Sequence, residues 1–436
     1  MRRMSRWLIT SPLFLREKRK RGPMKARRLL AVLGACALFA TAGCGGSAPS
    51  GAAGAAGARD EGPVKIGALH PVSGSYAVDG LQMRRGAELA VEAINAGGGI
   101  ASLGGREVEL VTGDTQGKVQ VGQSEAQRLI SEGAVGLVGT YQSAVSTNVA
   151  VVAERNEVPF VMDVTAADEI FDHGYRYSFR VQPGSTAIAT SAARYLDEVS
   201  REHGKPVEKV AFLHEQTDFG TAAAEAFTAA ARERGIEVGP VISYDATTAS
   251  DFTAQVTQVK ASGADVLAVA GYYGDSLLIA RAIASVKPDL DAVWGVSNGA
   301  FDQPTFVTDM GANSELYFNT NYHYDANNPK TRALREEYQR RYGAPMRTGA
   351  VLAYDAVQVI AEAVEKAGST DPAKVRDAIA ESQVDPLTVS DGPIRFDERG
   401  DNRNAVPVLT QVRDGRVTQV YPPEKAETEP RYEVAW

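Results

Sequence analysis

Apolar positions along this chain change their period again and again. Short continuous runs, VKIGALHPV from Val64, AVGLVG from Ala134 and KVAFLH from Lys209, alternate with stretches where Leu, Ala, Ile and Val recur every three or four residues. The first pattern suits a strand buried on both faces and the second an amphipathic helix. From Leu81, the positions Leu81, Leu89, Ala90, Ala93 and Ile94 form one stripe, which Gly97-Gly98-Gly99 stops. EVELVTGDT then predicts a strand, VGQSEAQRLISEG a helix, the run to Gly139 a strand, AVSTNVAVVA a helix and PFVMDV a strand. After Pro183 the rhythm restarts, with helices in SAARYLDEVSREHG, FGTAAAEAFTAAARERG, DFTAQVTQVKASG and GDSLLIARAIASV. They are separated by strands in KVAFLHEQ, VGPVISYD, ADVLAVAGYY and DAVWGVSNGA.

Strands alternating with helices of this length imply right-handed βαβ crossovers and parallel sheets, so the fold class is α/β, in two units near 64–182 and 184–312. The last third differs. ELYFNTNYHYD predicts a crossing strand, helices follow near 329–342, 347–367 and 371–382, and strand-like pieces PIRFD, VPVLTQVRDG and VTQVYP close the sequence. Helices that come after two completed sheets must pack somewhere, and a return to the first unit is the economical solution. The expected lobes are therefore discontinuous: 63–182 with 319–405, and 183–318 with 406–436, separated by a hinged cleft.

One junction carries candidate chemistry. The strand that breaks at Gly139 and restarts as a helix near Ser143 leaves unpaired N–H groups at the carboxyl edge of a sheet. That is a place for an anion, with Ser143 expected as N-cap and Tyr141 as an aromatic wall. Tyr76, in the turn after the first strand, stands at the same edge.

The first forty residues follow another pattern. Residues 1–28 hold eleven Lys/Arg and one acid, residues 29–40 are continuously apolar, and Thr41-Ala42-Gly43-Cys44 follows. A basic region, an apolar run too short to span a bilayer and a small-residue site together read as an export signal over 1–43. Met24 begins a second complete basic region, so 1–23 reads as a mis-called start. Residues 44–62, rich in Gly, Ala and Ser, read as a flexible linker. The signal takes eleven of the 46 Lys/Arg and one of the 54 Asp/Glu, which leaves a body of formal charge near −18. Such a body disfavours nucleic acid as partner. The two cysteines fall at positions 36 and 44, so the body has no disulfide and no thiol chemistry.

Together, VKIGALHPVSG, RRGAELAVEAINAGGGI, the GDT after strand two, VGTYQSAVSTNVAVVAERNEVPFV, FRVQP and AGYY resemble the type I solute-binding proteins of ABC transporters, within them the branched-chain amino acid/amide group. Ala-Gly-Cys44 resembles a bacterial lipobox, with Thr41 where Leu is usual. The resemblance runs from about residue 63 to the C-terminus. It implies two Rossmann-like lobes with parallel sheets joined by a three-crossing hinge, the type I periplasmic binding protein fold. It also implies a lipid-anchored monomer, carried by Cys44 on the outer face of the cytoplasmic membrane, that hands a small amino acid, amide or carboxylate to a permease. It places the ligand carboxylate at Ser143 and around Val164 and Thr165, and aromatic contacts at Phe219 and Tyr272. Where the family has an acid for the ligand ammonium, this sequence reads Val296-Ser297-Asn298-Gly299. Asn298 at a neutral ligand end, or Asp275 as substitute acid, is the expectation.

No catalytic constellation and no cofactor motif is found. Gly113 to Lys118 is one residue short of a phosphate-binding loop and lacks its Ser/Thr, and His70, His173, His203, His214 and His323 have no metal-ligand spacing. Asp114 and His214, each ending a strand, are further candidates for the cleft. The alternative to transport is a ligand-sensing ectodomain partner of a membrane receptor. Transport is expected, because the sequence runs to Trp436 without a membrane-spanning or signalling segment. If Cys44 carries the lipid, Cys44→Ser moves the protein from the membrane to the soluble fraction on cell fractionation, and retention in the membrane refutes the anchor.

Overall fold

A computed structural model describes residues 62–315 and 317–432; the signal, nearly all of the linker and Cys44 lie outside them. The first unit runs β1 (Val64–His70), α1 (Ala77–Ala96), β2 (Val108–Asp114), α2 (Val119–Ser131), β3 (Gly136–Gly139), α3 (Ser143–Arg155), β4 (Phe160–Met162) and β5 (Ser178–Arg180). The second runs α4 (Ser185–Glu202), β6 (Lys209–Glu215), α5 (Asp218–Glu233), β7 (Glu237–Tyr244), α6 (Thr253–Ser262), β8 (Val266–Ala270), α7 (Tyr273–Val286), β9 (Ala292–Val296), α8 (Pro304–Met310) and β10 (Phe318–Asn321). Then come α9 (Pro329–Tyr342), α10 (Thr348–Ala367), α11 (Pro372–Ala380), β11 (Val408–Arg413) and β12 (Arg416–Tyr421).

The first sheet has the order β2-β1-β3-β4-β5 and is parallel throughout. In the second, β7-β6-β8-β9-β10 repeats that order, and β11 and β12 extend it antiparallel beyond β10. Both sheets are covered on both faces, which is why their strands read as unbroken apolar runs. Ile66, Ala68, Val138 and Val161 pack under α1 and α10, while Leu69, Leu137, Phe160 and Met162 pack against α2 and α3. In the second sheet Val210, Phe212, Ala268 and Trp294 face α4 and α5; Ala211, Leu213, Leu267 and Val269 face α6 and α7.

Two sequence expectations need correction. Residues 393–397 form only isolated bridges, Val384 with Ile394 and Phe396 with Asn402, because no extended partner lies alongside them. The crossing expected at Phe318–Asn319 comes after Asn321, since β11 pairs with β10 from Phe318 through Asn321 while β9 pairs with it through Thr320. The chain thus passes between lobes after β5, after β10 and before β11.

The return segment seals the first lobe. Helix α10 lies across α1 so closely that a Cβ at Gly86 would stand 1.9 Å from the Ala350 carbonyl oxygen. Gly86→Ala is therefore expected to cost about 1–3 kcal/mol or more by overpacking. Gly274, inside α7 with open space around its missing Cβ, is the contrast: Gly274→Ala is expected to gain up to about 1 kcal/mol. Urea denaturation of the two variants checks both signs.

Candidate functional site

In an open α/β sheet the crevice lies beyond the carboxyl ends of the strands, where the strand order reverses. Here those points, between β1 and β3 in one lobe and between β6 and β8 in the other, face each other. The loops leaving them line one cavity of about 330 Å3, counting space open to solvent. The first lobe supplies Tyr141 and Ser143 after β3 and Val164 and Ala166 after β4. The second supplies Phe219 after β6, Gly271 and Tyr272 after β8, and Ser297 and Gly299 after β9; Tyr322 follows β10 at the crossing.

The β3–α3 junction needs glycine. Gly139 has φ +143°, and a Cβ there would lie 2.3 Å from the Leu69 carbonyl oxygen. Beyond it a buried hydroxyl network ties the turn to the loop after β4. Thr140 Oγ1 meets Ser146 Oγ at 2.7 Å, Ser146 Oγ meets Thr165 Oγ1 at 2.5 Å, and Thr165 Oγ1 donates to the Thr140 carbonyl at 3.1 Å. Arg180, 1 % exposed, holds the same loop from behind. It donates to the carbonyls of Ala166 (2.6 Å) and Ala167 (3.1 Å) and pairs with Asp168 (2.7 Å) and Asp401. The result is a rigid wall of N–H groups. Among the described residues, those of Ser143 and Ala144 in the first turn of α3, and of Thr165 and Ala166, meet no acceptor. Ser143 and Ala166 line the cavity, where the partial positive charge of the helix N-terminus adds to theirs, a favourable place for a carboxylate.

Opposite stands an aromatic group. The Tyr272 ring lies 5.2 Å from Tyr76, 5.5 Å from Tyr141 and 5.6 Å from Phe219, centroid to centroid. Tyr76 and Tyr141 belong to the first lobe and Tyr272 and Phe219 to the second, so apolar contact closes the cleft. Burial, with the charges of Asp275 and Glu215 nearby, pushes the Tyr76 hydroxyl up to about 12.

Arg347 bridges the lobes beside this cluster. Arg347, the residue before α10, pairs with Asp79 of α1, and both are largely buried. Its other Nη donates to Thr305 Oγ1 of α8 at 2.6 Å, and its guanidinium lies 4.7 Å from the centroid of the Tyr273 ring in the second lobe. Asp79 also accepts from the Tyr141 hydroxyl.

Of the sequence-predicted residues, Tyr141, Ser143, Val164, Phe219 and Tyr272 line the cavity, and Tyr76 packs against them. Others have different duties. Ser143 is the first helical residue, not the N-cap, which is Gln142; its hydroxyl accepts from the Ala167 N–H at 3.3 Å. The Val164 N–H is taken by Asp163 Oδ1 (2.7 Å) and its carbonyl by Gln182 Nε2. Thr165 spends its hydroxyl in the network above. Asp275, the third residue of α7, turns back to cap its own helix, accepting from Tyr272 N (3.2 Å) and Tyr244 Oη (2.6 Å); burial pushes its carboxyl up to about 7. Asn298 is fully buried and bonds to Ser276, Val269 and Ala300. Asp114 caps the turns after β1 and β2, and His214 bonds to the Glu215 carbonyl, so neither reaches the cavity. Sequence reading missed Tyr322, whose only signal was its place just after an apolar strand. No group of metal-binding side chains occurs among the described residues.

The family model described as periplasmic binding protein matches residues 63–416. The Leu/Ile/Val-binding protein homolog 7 of Brucella suis is 31 % identical over 378 residues, covering 84 % of this chain and 94 % of the relative. Among solved structures, the leucine binding protein LivK of Thermotoga maritima superposes with a TM-score of 0.72 at 24 % identity, covering 83 % of this chain and 99 % of that one. An ABC transporter substrate-binding protein of Desulfitobacterium hafniense in complex with Leu superposes with a TM-score of 0.67 at 25 % identity, covering 82 % and 100 %.

The bridge predicts an order of costs. Thr305→Val removes one hydrogen bond to a charged group, about 1.5–3 kcal/mol. Arg347→Met strands the buried Asp79 carboxylate, about 3–5 kcal/mol. Chemical denaturation of both variants measures the order, and equal costs would contradict the pairing.

Proposed function

Because the chain belongs to the periplasmic binding protein family, and within it to the substrate-binding proteins of branched-chain amino acid ABC transporters, we propose that it captures a small amino acid, amide or related carboxylate between its lobes and delivers it to a membrane permease. In this reading the chain is a binding protein and not an enzyme, exported and working as a monomer, held to the membrane by a lipid on Cys44. No helix among the described residues is long and apolar enough to cross a membrane. The two lobes act as jaws, hinged where the chain crosses after β5, after β10 and before β11. Ligand stabilises the closed arrangement because only there do Ser143 and Tyr272 contact it together.

One observation carries the proposal: a wall of unpaired N–H groups and the Ser143 hydroxyl on one lobe lies in the same cavity as aromatic rings drawn from both lobes. A solute lying there places its carboxylate at the start of α3 and its apolar part against Tyr272 and Phe219. The Brucella relative, named for Leu, Ile and Val, and the Desulfitobacterium complex with Leu support a ligand of amino-acid size.

Calorimetric titration of the intact protein with a panel of amino acids, amides and carboxylic acids tests this. Ser143→Ala is expected to weaken binding of the panel's tightest compound by about 1–3 kcal/mol, with a much smaller change in the melting of the unliganded protein. Unaltered affinity places the carboxylate elsewhere.

A further inference from the structure

We infer that the cleft selects a monocarboxylate whose other end is uncharged and apolar or aromatic, and that it rejects zwitterionic α-amino acids. The inference rests on the cleft being the binding site and narrows what that site takes.

An α-ammonium buried in the cleft needs an anion, and the cavity lining offers none. None of its lining side chains is a carboxylate. The carboxylates behind the lining are each committed. Asp79 serves Arg347 and Tyr141, and Asp163 serves His70 at 2.8 Å and the Val164 N–H. Glu215 serves Thr217 and Gly220 at the start of α5. Asp275 serves Tyr244 and Tyr272, and Asp302 serves Gln303 and Asn321.

Three of the lining carbonyls are taken as well. That of Val164 accepts from Gln182, that of Ala166 from Ser185 N (2.8 Å) and Arg180, and that of Gly271 from Gly299 N (2.9 Å). The Asn298 amide is used at both ends, its nitrogen by Val269 and Ser276 and its oxygen by Ala300 and Phe301. Every one of these groups has a fixed partner that a ligand would have to displace.

The donors are the opposite case. The N–H groups of Ser143, Ala144, Thr165 and Ala166 are unpaired and the field of α3 is positive there, so one negative charge is welcome. A second, positive charge a few ångströms away would enter an aromatic cavity without a counter-charge, and burial of an unpaired ammonium is heavily penalised. Rings at Tyr272, Tyr141 and Phe219 suit an aliphatic or aromatic end instead.

The test compares leucine with its deaminated acid, 4-methylpentanoate, and with benzoate, by calorimetry on the intact protein. The acids are expected to bind at least about 30-fold more tightly than leucine. Ser297→Asp places a carboxylate on the lining at a residue whose φ of +51° Asp tolerates. It is expected to shift the leucine-to-acid affinity ratio at least tenfold toward leucine, and Asp275→Asn is expected to leave that ratio unchanged. Leucine binding as tightly as its deaminated acid, or a ratio that Asp275→Asn changes, overturns the inference and leaves the cleft reading standing. Binding of none of the compounds, or binding insensitive to Ser143→Ala, overturns the cleft reading and this inference together.

Discussion

The contact of Gly86 with the Ala350 carbonyl is a constraint on which much else depends. The first lobe's own βα units leave one face of their sheet short of cover, and α10 supplies it only by nesting tightly on α1. That nesting fixes the N-terminal end of α10 at the rim of the cleft. Arg347 thereby reaches Asp79 in its own lobe and Thr305 and Tyr273 in the other. A packing requirement of the core thus places a charged bridge across the cleft, and Asp79 links that bridge to Tyr141 in the cavity wall.

The site follows from topology used twice. Each sheet reverses its strand order once, and the reversals point at one another, so helix starts and loop backbones from both lobes converge without any special motif. What distinguishes the two sides is chemistry: the first adds to its rings a set of unpaired N–H groups held by Arg180 and the Thr140, Ser146 and Thr165 hydroxyls, while the second offers the rings of Tyr272 and Phe219. Such a surface holds and orients a molecule. It presents no nucleophile with an adjacent base, and the family's members are solute-binding proteins.

Much of this was legible in the sequence because period and local chemistry agreed. The runs at Val64, Ala134 and Lys209 are buried strands, the stripe from Leu81 is α1, and the break at Gly139 before Ser143 forms the junction that a positive φ demands. What was not legible depended on the direction of individual side chains. Asp275 lies one turn from Tyr272 in sequence, yet as the third residue of α7 it folds back onto its own cap. Asn298 sits between two lining residues, Ser297 and Gly299, but its amide turns inward to Ser276. The end of β10 was misjudged for a similar reason, since only pairing with β11, some ninety residues later, carries that strand to Asn321.

The central claim is that two lobes close on a solute held between Ser143 and Tyr272. Small-angle scattering of the intact protein, free and saturated with the tightest-binding panel compound, tests it most directly. A smaller radius of gyration and a shorter maximum dimension are expected with ligand, as the cleft faces lose water and meet. Superimposable scattering curves with and without bound ligand would contradict it.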